Sequence, residues 1–340
     1  CTYPQGGLRN HSITNPTPCL GPPMNDQTAD VSPASTGTLG PTGESILITG
    51  GAGFIGSHLA AALAADNDVT ILDNCSGGEP ARLPATVDVQ RGDIREPSAR
   101  DALVAEADIV YHEAALVSVE ESLERPVESH GTNVAATVSL LDTARKHDTR
   151  VVFASSCAIY GDPTGVPISE HEPASPLSPY AVDKLAADHY VRVYGRQFDF
   201  PTVALRYFNV YGPGQRGDYS GVIDAFIERA QAGKPLEVHG AGDQTRDFVH
   251  VSDIVRANLA AGVTPHTGRA YNIGTGQETS IQELAETIRD LVGTDAPITH
   301  TDPRPGDISR SRADLTRSTE RLGYEPTVEL SDGLGTVLDD

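Results

Sequence analysis

The chain has 340 residues, enough for about two domains at roughly 150 residues each and ample for a buried core. Its 25 Lys plus Arg stand against 47 Asp plus Glu, a formal net charge of −22, and a field of that sign argues against nucleic-acid and membrane-surface binding. Four cysteines (Cys1, Cys19, Cys75, Cys157) without a CxxC pair exclude a disulfide scaffold and suggest no metal site.

Only three of the basic residues are lysines (Lys146, Lys184, Lys234). Heavy acidity with few lysines suits a surface that must stay hydrated in concentrated salt, so a halophile's cytoplasm is the expected setting; an ordinary acidic soluble protein also fits the composition. No apolar run approaches the roughly 18 to 20 residues of a membrane-spanning helix, and residues 1–23 lack the apolar core of a secretory signal. Residues 1–44 are dominated by Pro, Gly, Ser, Thr and Asn without hydrophobic periodicity, which predicts a disordered extension. The sole methionine, Met24, allows translation to start there with residues 1–23 as upstream read-through, and N-terminal processing is the competing account.

From Ser45 strand and helix signals alternate. Ile46–Thr49 is a short buried-strand run, and Phe54–Ala65 reads as a helix. Val69–Asp73, Val87–Asp93 and Ile109–His112 are further strands, followed by a helix over His130–His147. A strand at Arg150–Ser155, a helix at Tyr180–Gln197 and a strand at Thr202–Tyr207 continue the pattern. Such alternation predicts an α/β fold of the Rossmann-like, doubly wound type, a parallel sheet covered on both faces. Beyond Asn209 the units are shorter, though Ser280 and Glu283 have capping-box spacing that opens a helix through Leu291. The expected domains are a nucleotide-binding one over 45–209, to which later segments return, and a smaller α/β lobe over 210–340.

Four motifs carry chemistry. Directly after the first strand, Gly51, Gly53 and Gly56 satisfy G-x-G-x-x-G, while Gly50, Gly53 and Gly56 satisfy G-x-x-G-x-x-G. Glycines there let the backbone turn tightly and approach a pyrophosphate seated on the following helix N-terminus. Asp73 ends the next strand, 73 − 56 = 17 positions after the last glycine. That is near the spacing at which a carboxylate takes the adenosine ribose hydroxyls and repels a 2′-phosphate, so NAD is favoured over NADP. Ser178 suits an N-cap and Pro179 the first helical position, which puts Tyr180 and Lys184 on one helical face at i, i+4. A nearby ammonium and a positive nicotinamide ring would move the phenol of Tyr180 from its usual value near 10 toward neutrality. Ser155 and Ser156 lie at the carboxyl end of a strand, the edge at which open α/β sheets bind ligands.

These segments, with Asp73-Asn74, Gly92-Asp93-Ile94, His112–Ala115, Leu205–Asn209, Gln244–Val249, Tyr271–Gly276 and Arg304–Asp307, occur in an order over Ile46–Gly335 that resembles the extended short-chain dehydrogenase/reductase superfamily, most closely the UDP-glucose 4-epimerases. The resemblance implies that Gly50, Gly53, Phe54, Ile55 and Gly56 hold the NAD pyrophosphate. Asp73 and Asn74 would take the adenosine ribose, Asp93 and Ile94 would flank the adenine, and Ala114, Ala115, Asn133 and Phe208 would line the rest of the dinucleotide. Ser156 and Tyr180 would contact the sugar 4-hydroxyl, with Lys184 on the nicotinamide ribose. Ser118, Asn209, Val222, Arg246, Arg304, Asp307 and Ser311 would face the UDP-sugar, arginine forks matching a diphosphate. Without the resemblance, Arg246 and Arg304 read as solvated surface charges.

The implied activity is NAD-dependent 4-epimerisation of a UDP-hexose by transient oxidation at C4, in a homodimer. The small Ser311 leaves room for an N-acetyl group. The alternative is a 4,6-dehydratase or decarboxylase, but dehydratases of this group carry an Asp-Glu pair where Cys157 and Ala158 stand. Glu113 departs from the apolar or amide residue of relatives and is read as a solvated loop carboxylate.

Overall fold

The computed structural model describes residues 40–215, 221–304 and 306–339. Seven strands form one sheet: β1 (Ser45–Thr49), β2 (Asp68–Asp73), β3 (Asp88–Arg91), β4 (Ile109–His112), β5 (Arg150–Ser156), β6 (Thr202–Tyr207) and, much later in the chain, β11 (Arg269–Ile273). Their order is β11-β6-β5-β4-β1-β2-β3 and every pairing is parallel. The order reverses between β1 and β4, which opens a crevice at their carboxyl ends.

The alternation of side chains on β1 explains the layers. Ile46 and Ile48 join a core with Leu59 and Leu63 of α1 (Phe54–Leu63) and with Ile254 and Ala257 of α8 (Val251–Val263). Leu47 points to the opposite face, where the core is shared with α2 (Pro97–Glu106), α5 (Ala136–His147) and α6 (Pro179–Gln197) through Val104, Leu140 and Ala187. Between β4 and α5 lie α3 (Val119–Glu124), α4 (Pro126–His130) and one wide π turn, Gly131–Ala135. That turn is where the helix expected to begin at His130 instead changes pitch.

Beyond β6, short strands β7 (Asn209–Tyr211) and β10 (Phe248–His250) pair in parallel, as do β8 (Leu236–His239) and β13 (Ile298–Thr301). The two-residue strands β9 (Thr245–Arg246) and β12 (Thr279–Ser280) pair antiparallel. Around them α7 (Val222–Gln231), α9 (Ile281–Val292) and α11 (Leu330–Leu338) enclose a separate core of Phe226, Leu284, Ile288 and Leu334. The short α10 (Thr316–Leu322) packs against β11. α9 opens with the expected capping box, Ser280 Oγ accepting from Glu283 N–H at 3.1 Å.

Residues 1–39 of the expected extension lie outside the described residues, and 40–44 are ordered. Gly43 N–H donates to the Asp66 carbonyl at 2.7 Å and Asn67 Nδ2 to the Pro41 carbonyl at 3.0 Å, so these residues are pinned by the α1–β2 turn. Among the described residues no helix is long and apolar enough to cross a membrane.

Candidate active site

A cavity of about 1040 Å³ occupies the crevice, at the upper end of the ~300–1,000 Å³ usual for small-ligand sites. The glycine loop forms one wall. Gly50 has φ +70°, and a Cβ there would stand 2.6 Å from the Ala114 backbone nitrogen, so only glycine lets β1 and β4 meet at the switch point. A Cβ on Gly56 would overlap the Gly50 carbonyl oxygen. No side chain caps α1 and no acidic residue lies in its first turn, which leaves its amino end to an anionic group.

Asp73 closes the wall at the end of β2. Its two carboxylate oxygens accept from Ala52 N–H (3.0 Å) and Cys75 N–H (2.7 Å), with lone pairs remaining for a ribose diol on the cavity side. Asn74, Asp93, Ile94, Ala114 and Ala115 line the same cavity. Arg95 forks onto Asp93 and holds its carboxyl below the usual range. The residues present therefore fit a dinucleotide: a glycine cradle, an uncapped helix end and a ribose-facing carboxylate.

Ser156 and Tyr180 meet on the facing wall. Ser178 caps α6, accepting from Ala181 N–H at 3.2 Å, and Ser122 Oγ of α3 accepts from Tyr180 N–H at 3.2 Å. The Ser156 and Tyr180 side chains both line the cavity, with Phe208, Asn209, Ser118 and Val222. Burial pushes the Tyr180 phenol up to about 12, with the nearby Ser156 hydroxyl acting in the opposite direction. The expected lowering by Lys184 is thus not a property of the protein alone.

Lys184 explains why. It is 3% exposed and lies behind the wall, its Nζ donating to the Ala154 carbonyl at 2.7 Å and resting 4.9 Å from the Phe153 ring centroid. Burial pushes it down to about 8, while Glu113 and Asp183 raise it.

Several other expected contacts are not brought to the cavity. Asn133 is buried in the π turn, where its amide bonds both the Leu116 N–H and carbonyl at 2.9 Å and so shapes the β4–α3 loop. Arg246 pairs with Asp307 and donates to the carbonyls of Thr245 and Ile308, and this mutual neutralisation removes both from the wall. Arg304 is exposed, and Ser311 is 2% exposed with its N–H on the Thr245 carbonyl. Glu113 is no solvated loop carboxylate: it lines the cavity, accepts from Tyr207 OH at 3.0 Å, and burial pushes it up to about 7.

Sequence reasoning missed the brace behind Tyr180. Asp188, two turns along α6, is fully buried and takes Arg206 of β6 (Nε, 2.9 Å), Arg192 (Nε, 2.6 Å) and Ser155 Oγ (3.0 Å). The signal was an arginine, Arg206, inside the apolar run Val203–Phe208, since a buried charge must be paired.

The model of the NAD dependent epimerase/dehydratase family matches residues 46–274. The UDP-glucose 4-epimerase of Mycolicibacterium smegmatis is 38% identical over 305 residues, covering 86% of this chain and 97% of that protein. The Thermotoga maritima UDP-glucose 4-epimerase, solved with UDP-glucose, superposes with a TM-score of 0.83 at 34% identity, covering 87% of this chain and 97% of that one. The Thermus thermophilus UDP-glucose 4-epimerase, solved with NAD, gives 0.79 at 35% identity over 87% and 98% of the two chains.

Proposed function

The chain belongs to the NAD dependent epimerase/dehydratase family, and from that premise we propose that it interconverts UDP-hexoses that differ at C4, with NAD as resident cofactor. The observation that carries this reading is that Ser156 and Tyr180 line the same cavity as the glycine loop. Bound NAD would supply reversible hydride transfer at C4 and a positive ring that favours the phenolate. Tyr180 takes the 4-hydroxyl proton and gives it back, so its oxygen must sit at the sugar rather than at the ribose alone. Ser156 donates to the oxygen on which charge develops. Lys184 contributes a fixed positive charge from behind Tyr180 and orders the end of β5 through Ala154. The 4-keto sugar, anchored by its diphosphate, presents its other face before reduction, so no net redox occurs.

Asp73 supports NAD over NADP, because a carboxylate at the ribose repels a 2′-phosphate. Phe54, Ile55, Gly50, Gly53 and Gly56 are assigned to the pyrophosphate, with Asn74, Asp93, Ile94, Ala114, Ala115 and Phe208 along the dinucleotide; Ser118, Asn209 and Val222 are assigned to the sugar nucleotide. Arg246, Arg304 and Asp307 would reach the diphosphate only if the Arg246–Asp307 pair opened. Cys157 and Ala158 offer no acid–base pair for dehydration. Exposed Val182, Tyr190 and Val193 on α6, with exposed Leu123 and Val127 on α3 and α4, which pack against α6, support a homodimer through these helices. The net charge of −22 supports a salt-rich cytoplasm.

The test is a panel of UDP-galactose, UDP-glucose, their N-acetyl counterparts and UDP-glucuronic acid incubated with purified protein at molar salt, with products identified by NMR. The C4 epimer is expected. Elimination products or released CO2 would replace the reading with a lyase, and sedimentation velocity checks the dimer.

A further inference from the structure

Tyr180 stands in the first turn of α6, where a helix cannot satisfy its own backbone donors. Pro179 has no N–H, Ala181 gives its own to Ser178 Oγ at 3.2 Å, and Val182 gives its own to the Ser178 carbonyl at 3.0 Å. The Tyr180 N–H is left over, and it reaches out of the helix to Ser122 Oγ of α3 at 3.2 Å. Ser122 is fully buried, and its one hydroxyl proton goes to the Val119 carbonyl at 2.6 Å, so toward Tyr180 the oxygen acts only as acceptor.

α3 is six residues long, too short to hold itself in place, and both its ends are fastened. Upstream, Asn133 grips the N–H and the carbonyl of Leu116 at 2.9 Å, and Ser118 caps the helix by accepting from Glu121 N–H at 3.1 Å. Downstream, α4 follows at once and is tied to α6 by Ser129 Oγ and His130 Nδ1, which donate to Asp183 at 2.6 and 3.1 Å. Ser129 also accepts from Asn133 Nδ2 at 3.3 Å, which joins the two fastenings into one network. Ser118 and Ser122 are four positions apart, one turn of α3: the first lines the cavity and the second meets α6.

We propose that Ser122 is a positioning residue for Tyr180: by taking the amide that α6 leaves unpaired, it fixes how far the phenol reaches into the cavity and registers it against the wall to which Ser118 belongs. Ser122 does not itself line the cavity, so it acts on the reaction only through Tyr180. The effect on turnover rests on the epimerase reading, in which Tyr180 carries the proton; the hydrogen bond does not. With alanine at 122 the amide loses its acceptor and the first turn of α6 is free to shift. A displaced proton-transfer group costs rate rather than substrate affinity.

The test combines kinetics with amide exchange. Ser122→Ala, assayed per NAD-loaded molecule, is expected to lower kcat for a UDP-hexose about tenfold or more, while KM stays within about twofold. In a Tyr180→Phe background the same substitution is expected to change the residual rate by less than about twofold, because the group it positions is gone. An equal loss in both backgrounds, or an unchanged kcat in folded Ser122→Ala, overturns the proposal. Protein labelled with ¹⁵N-tyrosine has 11 tyrosine amides, and Tyr180→Phe identifies the one in question. That amide is expected to exchange slowly in the wild type and at least about tenfold faster in Ser122→Ala. Fast exchange in the wild type overturns the proposal even where the variant does not fold. A wild type that turns over no UDP-hexose sinks the epimerase reading instead, and the exchange rate still decides the Ser122 contact.

Discussion

The brace at Asp188 gives the sharpest stability prediction. Asp188 and Arg206 are 0% and 5% exposed at their side chains, and the carboxylate takes two bonds from Arg206, one from Arg192 and one from Ser155. In Asp188→Asn one oxygen can still accept, but the new amide turns its hydrogens toward guanidinium donors and the Arg206 charge stays buried without its partner. Breaking one side of a buried pair costs about 3–5 kcal/mol, a large part of the ~5–15 kcal/mol that holds a domain together. Burial alone would raise the Asp188 carboxyl, yet the bonds and charges of Arg206 and Arg192 outweigh it and hold the group below its ordinary value. Its stabilisation is therefore complete above the unfolded value, near 3.9, and is lost as pH falls through the lower folded value. Urea unfolding of both proteins should show the full difference at pH 7 and a narrowing gap in acid. A difference under about 1 kcal/mol at pH 7, or a gap that widens on acidification, would refute the brace. The apolar double variant Asp188→Leu/Arg206→Met should recover much of the loss, because the buried Arg206 charge leaves with its partner and the remaining Arg192 side chain is 18% exposed.

Tyr180→Phe should lower turnover by at least ~10²–10⁴-fold while nucleotide released on denaturation stays at wild-type stoichiometry; retained activity would remove the proton-transfer role. Gly56→Ala should purify with little bound NAD, because its methyl would overlap the Gly50 carbonyl oxygen, and HPLC of the extracted nucleotide checks this. Ser280→Ala removes the capping box of α9 and should cost about 1 kcal/mol in denaturant unfolding.

The layers through β6, the glycine loop, Asp73 and the start of the Tyr180 helix were legible in the residues, because each follows from short-range spacing: apolar alternation, a glycine triplet after a strand, a cap and proline before a helix; that Ser156 and Tyr180 line one cavity was implied only by the family resemblance. The capping box at Ser280 was legible for the same reason. α8, which covers one face of the sheet, and β11, which forms its edge, were not, since each acquires its role from a strand more than fifty residues earlier in the chain. The i, i+4 spacing correctly put Tyr180 and Lys184 on one side of a helix, yet only the sheet beneath decided that one faces the crevice and the other is buried on a carbonyl. Charge showed the same division. Composition told how acidic the surface is, whereas the folded neighbours decided that Glu113 and Asp188 are inside, that Arg246 spends itself on Asp307, and that a phenol near a lysine is raised rather than lowered. Local backbone preference is written in neighbouring residues; desolvation and pairing depend on which distant groups the fold brings within a few ångströms.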